Sequence, residues 1–262
     1  MTADPFHHIC AAYDVPVLRV VRRGDRHTVH DIVIDTELDI DPAAAAGADS
    51  ELIVRAVHAL AAGHGAGEPE VYAQEIGRHC MQRMEAVRGA RVEVRKRFWD
   101  RLAIGGRARD RDLVSPAAEL RVARVHIDGD GERTAAGIRE LFLLTSSPGP
   151  ETRVVTVRLA ALWTYGWPDV PYATQWQQVR RALSEAYAER DSGAPGALAQ
   201  DLGRAVLDEA PPVTRIEISL EVGARQVVDM TTFGMENAGM VFGGAATART
   251  VHTAVLRRSV IP

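Results

Sequence analysis

The chain has 262 residues, 46% of them hydrophobic and 25% charged, with a formal net charge of −4. That length allows one large domain or two ordinary ones, and the composition is that of a globular protein able to bury a core. The mildly acidic balance excludes a broad basic surface for nucleic acid, and no run approaches the ~20 apolar residues of a membrane-spanning helix. Arginine supplies nearly all the cations. Lys96 is the only lysine, so a mechanism that needs a lysine base must use Lys96 or do without one. Cys10 and Cys80 form no CxxC motif and read as two lone thiols of a reducing, cytoplasmic compartment. Residues 1–8 carry neither a basic start nor an apolar run, so no secretory signal is expected.

Residues 1–14 read as a short arm, 15–130 as a first half and 131–262 as a second. Residues 17–21 and 29–38 alternate as strands joined at Gly24-Asp25. After Asp41-Pro42 and an alanine run, Asp49 or Ser50 caps a helix with Leu52, Ile53, Ala56, Val57 and Leu60 at helical spacing. Glycines between 63 and 67 stop it. Glu68-Pro69-Glu70 opens a second helix with acidic residues in its first turn, carrying Val71, Ile76, His79, Cys80 and Met84. Residues 92–99 and 118–127 alternate as strands, and Asp128-Gly129-Asp130-Gly131 makes a turn.

The second half repeats this order. Residues 138–145 and 153–165 are strands joined at 146–149. A helix over 172–189 carries Trp176, Val179, Leu183 and Tyr187, and another over 195–209 ends before Pro211-Pro212. Residues 215–222 form a strand, 227–242 an irregular stretch rich in Met and Gly, and 250–258 a closing strand. The chain therefore uses a ββααββ unit twice. This is an α+β fold of antiparallel sheets, each covered by helices on one face. Such sheets leave edges, and pairing subunits edge to edge into a barrel with helices outside protects them, which predicts a homo-oligomer.

Few motifs carry chemistry by themselves. His7, His8 and Cys10 lie in the arm with no second cluster at ligand spacing, so no metal is expected. Met230, Met235 and Met240 lack copper-site spacing and read as loop packing. His30 and His79 read as structural residues. No phosphate loop, Rossmann fingerprint, zinc-protease motif or nucleophile elbow is present.

A series of short words in order extends along nearly the whole chain. They are Val29-His30-Asp31, Gly47-Ala48-Asp49-Ser50, Val57-His58-Ala59-Leu60, Gly89-Ala90-Arg91-Val92-Glu93-Val94-Arg95 followed by Trp99, and Gly137-Ile138-Arg139-Glu140-Leu141. Later come Pro150-Glu151-Thr152, Phe233-Gly234-Met235-Glu236-Asn237 with Val241-Phe242, and Val255-Leu256-Arg257-Arg258. In these words the chain resembles the urate oxidase (uricase) family of the tunnelling fold (T-fold). The resemblance implies homotetramers of stacked barrels with sites at subunit interfaces. It also implies oxidation of a purine by O2 as co-substrate, with no metal or organic cofactor.

The departures from that family are as informative as the matches. The family's lysine, which with a threonine removes the substrate proton, falls on Val15. The threonine falls on Ser50, with Glu51 where the family has aspartate. The substrate-clamping arginine is matched by Arg153, and the glutamine falls near Gly196. The stacking phenylalanine's segment is missing between Ser147 and Pro150. The asparagine and histidine over the ring fall on Val222 and Ala224. His58 stands for a tyrosine and reads as a packing residue.

Cofactor-free oxidation needs an acidic, electron-rich substrate whose anion gives electrons to O2, in a dry and oriented site. Arg153 would hold such an anion through a bidentate contact. Proton removal would fall to Glu51, to a histidine, or to a substrate that arrives ionised. The leading expectation is a uricase-like oxidoreductase acting on a planar heterocyclic or aromatic small molecule other than urate. Two readings compete with it: a catalytically inactive homologue with a binding or structural role, and a non-oxidative T-fold enzyme on a purine- or pterin-like ring anchored by Glu217 or Glu51.

Overall fold

The computed structural model describes residues 8–43, 49–63, 67–115, 117–146, 154–167, 169–189, 195–243 and 250–258. The chain divides into two compact units, Met1–Gly137 with Thr164–Trp176, and Ile138–Trp163 with Gln177–Pro262.

In the first unit, β1 (Ile9–Arg23) and β2 (Arg26–Ile40) form a long antiparallel hairpin. Gly24 at its tip has φ +59°, a left-handed conformation that glycine adopts without steric cost. β1 begins at Ile9, within the stretch that the sequence reads as an arm. Next come α1 (Ser50–Ala62), α2 (Pro69–Arg83), β3 (Val87–Arg97), β4 (Asp100–Ile104), β5 (Arg107–Val114), β6 (Leu120–Asp128) and β7 (Gly131–Ser146). The sheet order is β1-β2-β3-β6-β7. α2 packs on β3 and β6, and α1 on β1 and α2.

Alternation explains this unit. Ile32, Ile34 and Leu38 of β2 and Val92 and Val94 of β3 point to the helices, where Ile53 and Val57 of α1 and Tyr72, Ile76 and Cys80 of α2 meet them. The buried face of α2 is thus Tyr72-Ala73-Ile76-Gly77-Cys80, and Val71 and His79 lie to its side. Cys10 packs against the same core that holds Cys80, so two thiols remote in sequence share one cluster.

β4 and β5 form a separate two-stranded hairpin that the sequence reading misses. Residues 107–112 of β5 are all exposed, so no apolar face imposes alternation on Arg107-Ala108-Arg109-Asp110-Arg111-Asp112. The available signal is Gly105-Gly106, both left-handed at φ +57° and +77°, as a two-residue hairpin turn requires.

The second unit holds most of β7, β8 (Val154–Tyr165), the greater part of α3 (Tyr172–Ala188), α4 (Pro195–Glu209), β9 (Val213–Val227), a 3₁₀ turn (Thr231–Phe233), β10 (Phe242–Gly243) and β11 (Thr250–Arg257). β7, β8 and β9 are neighbours in that order, and β11 pairs with β9. α4 packs on β9 and β11. The stretch after β9 is irregular but ordered by one side chain. Asn237 Nδ2 donates to the carbonyls of Val228 and Val241, and its Oδ1 accepts from the N–H groups of Met240 and Val241.

The repeat extends to single residues. In α2, a Cβ on Gly77 would lie 2.8 Å from Ile127 of β6. In α4, a Cβ on Gly203 would lie 2.5 Å from Leu256 of β11. In each half, the second helix uses a glycine to approach the fourth strand of its ββααββ set.

Candidate functional site

The described site residues expected from the sequence fall in separate places: Val15 in β1, Ser50 and Glu51 at the start of α1, Gly196 at the start of α4, and Val222 and Ala224 near the end of β9. Val15 follows a β-bulge in β1, where the register with β2 shifts between Ala12 and Val15. Its side chain is 6% exposed and belongs to the apolar core under α1 and α2. Ser50 is the first residue of α1 and is exposed, but it is not the cap. That role falls to Asp49, whose carboxylate accepts from the N–H of Glu51 at 2.9 Å. Glu51 is exposed and ion-paired with Arg55 one turn on, at 2.6 Å. His58 also lies on α1. The sequence reads it as a packing residue near the subunit interface; within one chain it is exposed, with Nδ1 2.8 Å from the Val54 carbonyl and Nε2 3.3 Å from that of Pro16.

In the second unit, Val222 and Ala224 share one face near the end of β9, the first half-buried and the second exposed. Val222 pairs with Thr250 of β11. Gly196 opens α4, and a Cβ there would stand 3.8 Å from Nδ1 of His252 on the same β11. Gly196 and Val222 are therefore both neighbours of β11. Glu217 pairs with Arg215 at 3.1 Å. Arg153, His7 and the Ser147–Pro150 junction lie outside the described residues.

Three polar clusters went unnoticed in the sequence. On the face of the first sheet away from the helices, Arg95 Nη2 donates to Asp14 and its Nη1 to Asp35, at 2.8 and 2.6 Å, with Glu93 at 3.4 Å. Arg124 donates to Glu93 at 2.6 Å, and the Tyr13 hydroxyl to Glu37 at 2.9 Å. The signal was available: charged residues occupy alternate positions of β2 and β3, out of phase with the core residues. In the second unit, Arg158 Nε donates to Glu221 at 2.9 Å, and its Nη1 lies 3.4 Å from Glu140.

The third cluster lies on the helix side of the first unit. Arg121 (7% exposed) holds the fully buried carboxylate of Glu70 through two bonds of 3.2 and 2.6 Å. The Trp176 ring covers its guanidinium at 5.7 Å and packs on Phe98 at 5.2 Å. Lys96, paired with Arg121 across the β3–β6 ladder, donates to the Gly67 carbonyl at 2.6 Å. Burial, and then the neighbouring Arg121 charge, pulls its pKa down to about 8. His30 is pulled down to about 4 by burial and by Lys96 and Arg19, and its Nδ1 has no hydrogen-bond partner among the described residues. The single lysine thus has the electronic character of a base near neutrality, but it is held in a structural network at the start of α2.

No family model matches the chain. Among characterised proteins it is 27% identical to the uricase of Arthrobacter globiformis over 254 residues, covering 88% of this chain and 82% of that one. It is 23% identical to the uricase of Danio rerio over 258 residues, covering 87% and 86%. Its fold matches the crystal structure of the A. globiformis uricase with a TM-score of 0.83 at 24% identity, over 98% of this chain and 96% of that one.

The chain is a divergent relative of the uricases.

The uricase of Bacillus fastidious shares the fold at 15% identity, with a TM-score of 0.78 over 95% of this chain and 93% of its own. The uricase fold is therefore kept along the whole chain while the sequence has moved far. At the position where the resemblance to uricases implies a lysine, a valine is sealed into the core.

Proposed function

We propose that this protein is a uricase-like oxidoreductase that oxidises a planar heterocyclic or aromatic substrate other than urate. O2 takes two electrons from the substrate anion and, with two protons, leaves as hydrogen peroxide. No metal or organic cofactor takes part. Arg153 holds the anion, and the Ser50 hydroxyl and Glu51 carboxylate, exposed at the start of α1, supply polar contacts or receive the proton. Val222, Ala224 and Gly196 fall where the resemblance to uricases implies polar groups, which favours a less polar ligand than urate; Val15, in the core, simply removes the lysine. The working form is a homo-oligomer, a tetramer in the manner of the family, in the cytoplasm.

The observation that carries this reading is Val15. The relation to uricases extends over most of both chains, but the side chain at the lysine position is apolar and buried. Valine has no proton to exchange, so a relay of the urate type cannot start there. The test is parallel aerobic and anaerobic incubation with urate, xanthine and azapurines, following absorbance and peroxide. O2-dependent loss of a ring other than urate is the expected result. Rapid turnover of urate would overturn the change of substrate.

A non-catalytic homologue is the second reading. It is favoured by the engagement of Glu51 with Arg55, which ties up the base expected beside Ser50. Ligand binding without turnover, with or without O2, would establish it.

A further inference from the structure

We propose that Asp14 contacts the ligand, its carboxylate accepting a hydrogen bond or a proton from a ring N–H of the planar substrate. The inference rests on the reading of this chain as a uricase-like enzyme, and it names the residue that acts where Val15 cannot.

Among the described residues, two that are not glycine have positive φ, Asp14 at +51° and Glu140 at +56°. Both are acidic. They lie in β1 and β7, the first strands of the two ββααββ units. Each is paired with an arginine of the same sheet, Asp14 with Arg95 two strands away on β3 and Glu140 with Arg158 on the adjacent β8. A left-handed backbone costs a residue with a Cβ, aspartate less than most, and glycine would satisfy it without strain. Strained residues persist where the side chain is needed, and bulges re-aim side chains next to functional sites.

The β1 bulge does this for Asp14. It turns Val15 into the core and Asp14 to the opposite face, where its side chain is 85% exposed. The backbone N–H of Asp14 donates to Asp35 Oδ1 at 2.8 Å, and Arg95 fixes Asp14 Oδ1 at 2.8 Å. The carboxylate is thus oriented through one oxygen, and no hydrogen bond engages Oδ2 among the described residues. A purely structural role explains the arrangement poorly. Exposed ion pairs add little stability, and Arg95 keeps Asp35 and Glu93 if Asp14 is removed. An ionised carboxylate with an open oxygen accepts N–H donors and repels carboxylate ligands. It therefore selects rings with lactam- or imide-type N–H groups.

The test compares Asp14→Gly and Asp14→Asn with the native chain, reading melting temperature and the binding of urate and xanthine by calorimetry. Both variants are expected to fold. Asp14→Gly should melt at or above the native temperature, and both should bind the better probe at least tenfold more weakly. A melting temperature several degrees lower in Asp14→Gly would make Asp14 a structural residue and overturn the proposal. Native-like binding by the variants would overturn it while leaving the enzyme reading intact. A native chain that binds neither probe would sink the purine-like substrate class, and this proposal with it.

Discussion

His30 shows how burial sets chemistry at single residues. Its folded pKa of about 4 lies below the ordinary 6.5. Between those values the unfolded chain holds a proton that the folded chain refuses. The stabilisation from neutral His30 is therefore full above pH 6.5 and is lost as pH falls through about 4. The ring is only half-buried, so solvent screening reduces the effect to on the order of 1 kcal/mol. A His30→Asn variant should lose less stability than the native chain between those pH values, measured by urea unfolding in a pH series. Parallel curves would refute it. Lys96 acts in the same direction at alkaline pH, since its folded value of about 8 lies below the unfolded 10.5 and stability rises between them. Glu70 and Arg121 are a different case. A buried ion pair adds little net stability, but leaving one partner alone is costly, so the pair fixes how the start of α2 meets β6.

At the scale of elements, the close approach of α4 to β11 is the most exposed to test. Gly203 leaves no room for a methyl group beside Leu256, whose Cδ1, Cδ2 and Cγ would lie 2.5 to 3.2 Å away. Gly203→Ala gains up to ~1 kcal/mol of helix propensity but overpacks the contact, for a net loss of about 1–2 kcal/mol. In a Leu256→Ala background the overpacking disappears and the same substitution should stabilise. Denaturant unfolding of the four chains gives the coupling directly. Additivity would show that the helix shifts freely and that glycine is not required.

Taken whole, the molecule leaves sheet edges to be covered. Among the described residues, β1 pairs only with β2 and β11 only with β9, and Leu18, Val251 and Val255 on those strands are exposed. Long edge strands with apolar side chains are aggregation-prone unless covered. We expect light scattering to find a homo-oligomer, with four times the 28.5 kDa chain mass for a tetramer. A monomer at micromolar concentration would contradict this. An oligomer would also explain why, among the described residues of one chain, the exposed candidates Ser50, Glu51 and Ala224 are not brought together into a site.

Alternation along β2, β3, β8 and β9, together with the amphipathic spacing of α1 and α3, was enough to determine the repeated ββααββ order. These elements bury one face, and burial writes a period into the sequence. The β4–β5 hairpin buries neither face, so only its Gly-Gly turn betrayed it. Asp49 rather than Ser50 became the cap of α1 because a cap is chosen by backbone geometry, which two adjacent polar residues do not distinguish. The resemblance to uricases also led to the expectation that their lysine position falls on Val15. Only the tertiary structure decided that this valine lies in the core, because a one-residue bulge reverses which side chains face inward. The same bulge put Asp14 on the open face, and strand pairing brought Arg95 to it across 81 residues of chain. Such contacts depend on register between strands remote in sequence, which no local pattern encodes.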